Sequence, residues 1–358
     1  MKIDRLNKVL EKMKSQNIPQ LIVSDPSSIF YLTGRWIHPG ERLLVLYLNI
    51  NGDRKLFINE LFPLTEDIGV EKIWFKDTDD AVKIISKYTD KTLPIGIDKD
   101  WPARFLLRLM GLKAGSSFVN GSEIIDRIRM CKDDSEKKLM IEASRINDEA
   151  MDELIKFIPE GYTEKKMGKL LGNIYENLGA EGFSFDPIVA YGINGVDPHH
   201  EIDDSILKDG EAVTMDIGCI KDSYCSDMTR TVFYKYVPEN SKKVYNTVLE
   251  ANKRGIEAVK HGIRFCDIDK IVRDYIEDAG YGKYFTHRTG HSIGIECHDL
   301  GDVSSANSDR IQPGMIFSIE PGIYIPGEIG IRIEDLVIVT EDGCEVLNKY
   351  GKDIMVVE

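Results

Sequence analysis

Four acidic residues fall in two pairs whose spacing could set carboxylates face to face: Asp216 with Asp227, and Glu320 with Glu334. Over residues 212–233, a two-residue turn at Lys221-Asp222 predicts a hairpin with Asp216 directly opposite Asp227. Such cross-strand neighbours share a face and lie roughly 4.5–5.5 Å apart at Cβ. The alternation agrees: Val213, Met215 and Ile217 form an apolar face, and Thr214, Asp216 and Gly218 the other. Over residues 317–336, a three-residue loop at Pro326-Gly327-Glu328 predicts Glu320 opposite Glu334. Ile331 and Ile333 then face away, while Arg332 shares the face of Glu334. Pro321 lacks an N–H, so the ladder should break after Glu320. Like charges facing each other destabilise a sheet. One such pair reads readily as solvated surface charge. Two, in corresponding places of a repeated unit, call for cations, and four carboxylates suit two divalent ions.

A transition metal usually adds a nitrogen ligand. The histidines are His38, His199, His200, His261, His287, His291 and His298, and three of the 7 lie between 287 and 298. A lone histidine is more often structural; this clustering points to a site. The run Gly290-His291-Ser292-Ile293-Gly294 also matches the serine-hydrolase pattern GxSxG. That chemistry needs an acid and then a histidine well downstream of the serine. The last histidine is His298, so no triad can be built. No Gly-rich phosphate loop, GxGxxG or HExxH occurs.

The chain that must position these groups has 358 residues, which at ~100–200 residues per domain predicts two domains. It is 42% hydrophobic and 30% charged, as soluble globular proteins are, and can bury a large core. A formal net charge of −14 argues against a nucleic-acid partner and suits a protein that gathers carboxylates around cations. The first 16 residues carry charges throughout, with no apolar signal-peptide core, and the longest apolar run is far too short for a bilayer. A cytoplasmic protein with no membrane partner is expected. Its cysteines (131, 219, 225, 266, 297, 344) form no CxxC pair and are expected to be free.

Residues 1–125 alternate strand and helix signals and predict a self-contained α/β domain. Leu6, Val9, Leu10 and Met13 make a helical stripe, and further helices are expected near residues 81–88 and 103–110. Strands are expected at 21–23, 43–48, 55–58 and 94–97, with a hairpin turn at Asn51-Gly52-Asp53. A charged stretch, residues 127–138, opens a long helix over 134–157, followed by a second over 163–178 and the first acidic hairpin. The order then recurs: helices over 241–259 and 266–279, and a second hairpin over 315–339. Two helices and a hairpin, twice, predict an internal structural duplication.

Five motifs make this half recognisable: Asp216-Ile217-Gly218; Ser226-Asp227-Met228-Thr229-Arg230-Thr231; Thr289-Gly290-His291-Ser292-Ile293-Gly294; Ile319-Glu320-Pro321-Gly322-Ile323-Tyr324; and Arg332-Ile333-Glu334-Asp335. In this order they resemble the family of Xaa-Pro dipeptidases (prolidases), aminopeptidases P and methionine aminopeptidases. Residues 28–34, Ser-Ile-Phe-Tyr-Leu-Thr-Gly, resemble the creatinase/prolidase N-terminal domain, which ordinary methionine aminopeptidases lack. The resemblance implies an N-terminal α/β domain over 1–125 followed by a "pita-bread" catalytic domain over 130–358, a duplicated α+β unit. It further implies two divalent metal ions (manganese first, cobalt or zinc otherwise) and commonly a homodimer. Asp227 and Glu334 would bridge the ions, Asp216 would hold one, and His291 and Glu320 the other. His199, after Pro198, together with His287 and His298, matches the family's substrate-side histidines. Glu320 would carry the proton, and Arg332 would orient the carboxylates. Asp299 stands where prolidases often have glutamate, and Ser292 where glycine is common.

The implied reaction is hydrolysis of Xaa-Pro dipeptides, and the implied partner a small peptide with proline second. The alternative is aminopeptidase P, acting on longer peptides; a non-catalytic peptide-binding protein on the same fold is a third reading, disfavoured because all five ligands are present. Glu320 and Glu334 are too close in sequence to enclose a cationic insert that would read the substrate's carboxylate. The loop at residues 36–42, with His38 and Arg42, is the candidate reader, closing the partner's site in a dimer.

Overall fold

The computed structural model describes residues 1–358. They form two compact units, Met1–Arg129 and Met130–Glu358.

The first unit is built on a six-stranded sheet in the order Glu71–Phe75, Arg54–Asn59, Val45–Asn49, Gln20–Val23, Ile95–Ile97, Phe118–Asn120. Gln20–Val23 is central and wholly buried, antiparallel to Val45–Asn49 and parallel to Ile95–Ile97. A strand covered on both faces needs continuous rather than alternating apolar residues, as Leu21-Ile22-Val23 supplies. The helix Ile3–Ser15 buries Leu6, Val9 and Met13, the stripe its spacing predicts. The helix Pro26–Thr33 was not expected. Asp25 caps it, accepting from the backbone N–H groups of Ser27 and Ser28, proline opens its first turn, and Gly34 closes it in a left-handed conformation. Those start and stop signals are in the sequence, but the segment is too short to display a helical period.

The second unit contains the helix-pair-and-hairpin order twice. Helices Asp134–Ile155 and Glu164–Asn177 precede the strands Ala212–Ile217 and Met228–Tyr234. Helices Glu239–Ala258 and Phe265–Asp278 precede Ile316–Ile319, Gly322–Ile325, Ile329–Arg332 and Asp335–Val339. The charged stretch 127–138 is split between helices: Ser122–Met130 ends within it, and Asp133 then opens the long helix with a capping box to Glu136. Each hairpin packs its apolar face on its own helices. Val213, Met215 and Ile217 join Ile146, Leu154, Leu171 and Tyr175, whereas Ile331 and Ile333 join Val244, Val248, Val272 and Ile276. The opposite faces are left to carry the acids.

The first hairpin corrects the expected register. Its turn is Asp222-Ser223, not Lys221-Asp222; both are left-handed (φ 47° and 69°), as a two-residue turn of this twist requires. Lys221 therefore pairs with Tyr224 and Asp216 with Thr229, so Asp216 is not opposite Asp227. A one-residue shift of the turn moves partners by two, which preserves the face. Asp227 stays on the side of Asp216, displaced along the strand. The second hairpin has the register its spacing predicts, with Gly322 opposite Arg332, Ile325 opposite Ile329 and Ile319 opposite Asp335. Its ladder stops at Glu320-Pro321, as a proline there demands.

Candidate metal centre

Both ladders open where the acids sit. Residues 226–227 fall between the short strand Tyr224–Cys225 and Met228–Tyr234, with Gly218 facing the gap. Any Cβ at Gly218 would stand 2.2 Å from Ser184 Oγ and 2.3 Å from the Ser226 carbonyl, so only glycine fits. The carbonyl at each opening is met by a buried asparagine from the first helix of its repeat. Asn147 Nδ2 donates to Ile217 O at 2.8 Å, and Asn252 Nδ2 to Ile319 O at 2.9 Å.

The structure brings Asp216, Asp227, His291, Glu320 and Glu334 around one cavity of about 950 Å³, together with His199, His287, His298 and Arg332. His291 Nε2 lies 3.5 Å from Asp227 Oδ2 and 3.7 Å from Glu320 Oε1. Ligand atoms of Asp227, His291 and Glu334 all lie within 4.8 Å of one another. Arg332 Nη2 donates to Asp216 Oδ2 at 2.7 Å, its Nε to Thr229 Oγ1 and its Nη1 to Tyr324 Oη. Thr229 Oγ1 donates to Glu334 Oε2 at 2.8 Å. His287 Nε2 is 2.9 Å from Tyr324 Oη, and its Nδ1 is 2.7 Å from the Arg288 carbonyl. Further back, Arg273 bonds both Asp269 and the His287 carbonyl, and Asp269 accepts from Thr289 Oγ1, which fixes the histidine segment.

Electrostatically these side chains alone are frustrated. Burial, and then Glu334 and Asp216, push Asp227 well above the usual carboxylate range. Burial, then Glu320 and Asp216, do the same to Glu334. Burial raises Glu320 to about 7 against the lowering influence of Arg332. Burial and His298 hold His291 down at about 3, and burial and Arg332 hold His287 at about 4, so both rings are neutral. Asp216 Oδ1, Asp227 Oδ1 and Glu334 Oε1 are buried without any hydrogen-bond partner. Buried polar atoms are nearly always paired. Three orphaned carboxylate oxygens beside a neutral imidazole fit divalent cations, which remove both the repulsion and the missing bonds.

A second acidic cluster, Glu164, His200 and Asp203, is different. Glu164 accepts from Tyr191 N, Asn194 Nδ2, His200 Nε2 and Asp203 N, so its oxygens are satisfied by the protein. It anchors the loop that presents His199. His38 and Arg42 are not among the residues gathered here. They belong to the first unit, where His38 stacks on Trp36 and Arg42 bonds Asp77 through Nε and Nη2 at 2.9 and 3.0 Å. Several cavity residues carry no role in the sequence reading, Arg288 and Cys297 among them. Cys297 Sγ lies 3.6 Å from Asp227 Oδ2. Both sit inside the histidine segment, which was the available signal.

This fold and donor set define a metallopeptidase of the duplicated α+β type. Residues 138–341 match the model of metallopeptidase family M24, and residues 5–131 that of the creatinase/prolidase N-terminal domain. The chain belongs to metallopeptidase family M24, with an N-terminal α/β domain and a pita-bread catalytic domain. It is 36% identical to an uncharacterised peptidase of Staphylococcus saprophyticus, over 97% of this chain and 100% of that one. Among solved structures it is similar to a dipeptidase from Pyrococcus horikoshii (31% identity, TM-score 0.92, 99% of this chain and 100% of that one). A prolidase from Thermococcus sibiricus is equally similar (30%, TM-score 0.93, 100% and 99%). No helix is long and apolar enough to cross a membrane.

Proposed function

We propose that the protein is a cytoplasmic Xaa-Pro dipeptidase acting as a homodimer. In this reading Asp216, Asp227, His291, Glu320 and Glu334 hold two divalent ions, manganese first and cobalt or zinc as substitutes. The observation that carries it is the set of three unpartnered carboxylate oxygens on the wall of a histidine-lined cavity. When bound, such ions supply a water of lowered pKa and polarise the scissile carbonyl. The protein's own groups do the rest. Glu320, on the cavity wall, takes a proton on its carboxylate and delivers it to the leaving proline nitrogen. His298 and His199 donate hydrogen bonds to the carbonyl oxygen as charge develops there. His287, held by Tyr324, walls the proline pocket, and Arg332 fixes the Asp216 carboxylate.

The loop with His38 and Arg42 is proposed to close the partner's site and limit substrate length. An unchanged KM for Leu-Pro in Arg42→Ala would remove it from the scheme. Aminopeptidase P is the second reading, favoured by the cavity: about 950 Å³ is at the upper end of small-ligand sites, ~300–1,000 Å³. Metal-stripped protein reloaded with Mn, Co or Zn and assayed on Leu-Pro and Leu-Pro-Gly decides between them. Faster turnover of the tripeptide would overturn the dipeptidase reading.

A further inference from the structure

Two cationic side chains line the cavity, and they are bound very differently. Arg332 is buried, with Nη2 on Asp216, Nε on Thr229 and Nη1 on Tyr324, so every arm is committed to the protein. Arg288 is paired through Nη1 with Asp302 alone, and the two side chains are 35% and 49% exposed. An exposed ion pair contributes little and exchanges readily.

The backbone beneath Arg288 is fixed, however. Arg273 donates to the carbonyls of Phe285 and His287, and His287 Nδ1 lies 2.7 Å from the Arg288 carbonyl. Arg288 thus has a rigid base and an exchangeable head. It also stands close enough to act on the reacting groups. Its side chain lines the same cavity as His298 and Glu320.

A dipeptide differs from a longer peptide at this point by one feature, a free carboxylate next to the proline ring. The planar guanidinium recognises that group through paired N–H donors. We infer that Arg288 reads the α-carboxylate of the substrate, with Asp302 holding the guanidinium in place until the substrate carboxylate displaces it. Arg42 is the weaker reader, because Asp77 holds it in a two-point contact and Glu41 lies 2.9 Å from its Nη1. The inference rests on the dipeptidase reading proposed above.

The test compares KM and kcat for Leu-Pro and Leu-Pro-amide in the metal-loaded wild type, Arg288→Gln and Arg288→Lys. The wild type should prefer the free acid, chiefly in KM, by about 10- to 100-fold, the range for losing a hydrogen bond to a charged group. Arg288→Gln should collapse the acid-to-amide ratio toward one, and Arg288→Lys should recover part of it. Asp302→Asn, which frees the guanidinium, should lower KM for Leu-Pro. A preference that persists undiminished in Arg288→Gln overturns Arg288 as reader and leaves the dipeptidase reading standing. A wild type without preference for the acid overturns both. Because the readout is a ratio within each variant, partial misfolding does not mimic it.

Discussion

The two acidic hairpins of the second unit are the same device made twice with different means. In the first, Gly218 and the gap at 226–227 open the ladder; in the second, Pro321 does. In both, a buried asparagine from the first helix of the repeat takes up the carbonyl left at the opening, Asn147 for Ile217 and Asn252 for Ile319. The hairpins also brace each other. Arg332 of the second reaches Asp216 of the first, while Thr229 of the first reaches Glu334 of the second. The braces are unequal: one is a charged, buried guanidinium and the other a single hydroxyl. Both acceptors are carboxylates, but only the first brace also has a charged donor, and a guanidinium–carboxylate pair outweighs a hydroxyl on a carboxylate. The first hairpin's Asp216 is therefore held more firmly than the second's Glu334.

The largest expected effect comes from removing one acid from either hairpin. Asp227→Ala and Glu334→Ala should each lower kcat/KM by about three orders of magnitude, with metal content by elemental analysis falling below two ions per chain. If one variant keeps both ions and full turnover, the two hairpins do not share the centre. Next, Arg332→Ala should cost about 100-fold in metal affinity or activity and Thr229→Val about 10-fold, the span seen when groups supporting metal ligands are removed. Equal losses would mean that the braces are equivalent.

Two glycines, Gly218 at the first opening and Gly327 in the turn of the second hairpin, and the asparagines at the two openings give a comparison in stability. Gly218→Ala meets Ser184 and Ser226 and should destabilise by about 1–3 kcal/mol through overpacking. Gly327→Ala, left-handed at φ +77° but with open space around it, should cost about 1 kcal/mol from backbone strain alone. Asn147→Ala and Asn252→Ala should each destabilise by about 1–3 kcal/mol, because a buried carbonyl is orphaned. Chemical denaturation with metal present measures all four, and a neutral Asn252→Ala would show that the second opening is solvated.

The smallest effect is in pH. Folded-state pKa values of Asp227, Glu334 and Glu320 are raised, so the metal-free folded state holds more protons than the unfolded chain, and stability falls as pH rises. His291 and His287 are lowered and act oppositely, but only below their ordinary 6.5. Between pH 8 and about 7 the three raised carboxylates outnumber the one opposing group that ordinarily titrates near 8, the α-amino group of Met1, lowered by burial, and Tm of chelator-treated protein should rise as pH falls. Bound metal should flatten or reverse that slope. A metal-free Tm that drops from pH 8 to 7 would contradict the buried like-charge arrangement.

Much of this was legible in the chain. Alternation placed Asp216, Arg332 and Glu334 on faces opposite their apolar neighbours, because a strand's period of two leaves no freedom once one face is buried. Pro321 announced the break in the second ladder, since a missing N–H cannot be supplied by context. The turn at Asp222-Ser223 was misplaced by one residue, because Lys221-Asp222 and Asp222-Ser223 are locally similar. The chosen register is the one in which Ser223 N–H bonds Glu181 and Cys219 N–H bonds Ser226 Oγ, contacts that do not exist until the chain has folded. The sequence by itself determined which acids and histidines could bind cations and which faces they occupy, because those follow from residue type and local period. Only the tertiary structure decided that three of the carboxylate oxygens lack a partner, that Glu164 does not, and that Arg288 keeps an exchangeable arm in the cavity. Each of those depends on donors brought from distant parts of the chain, which no local pattern records.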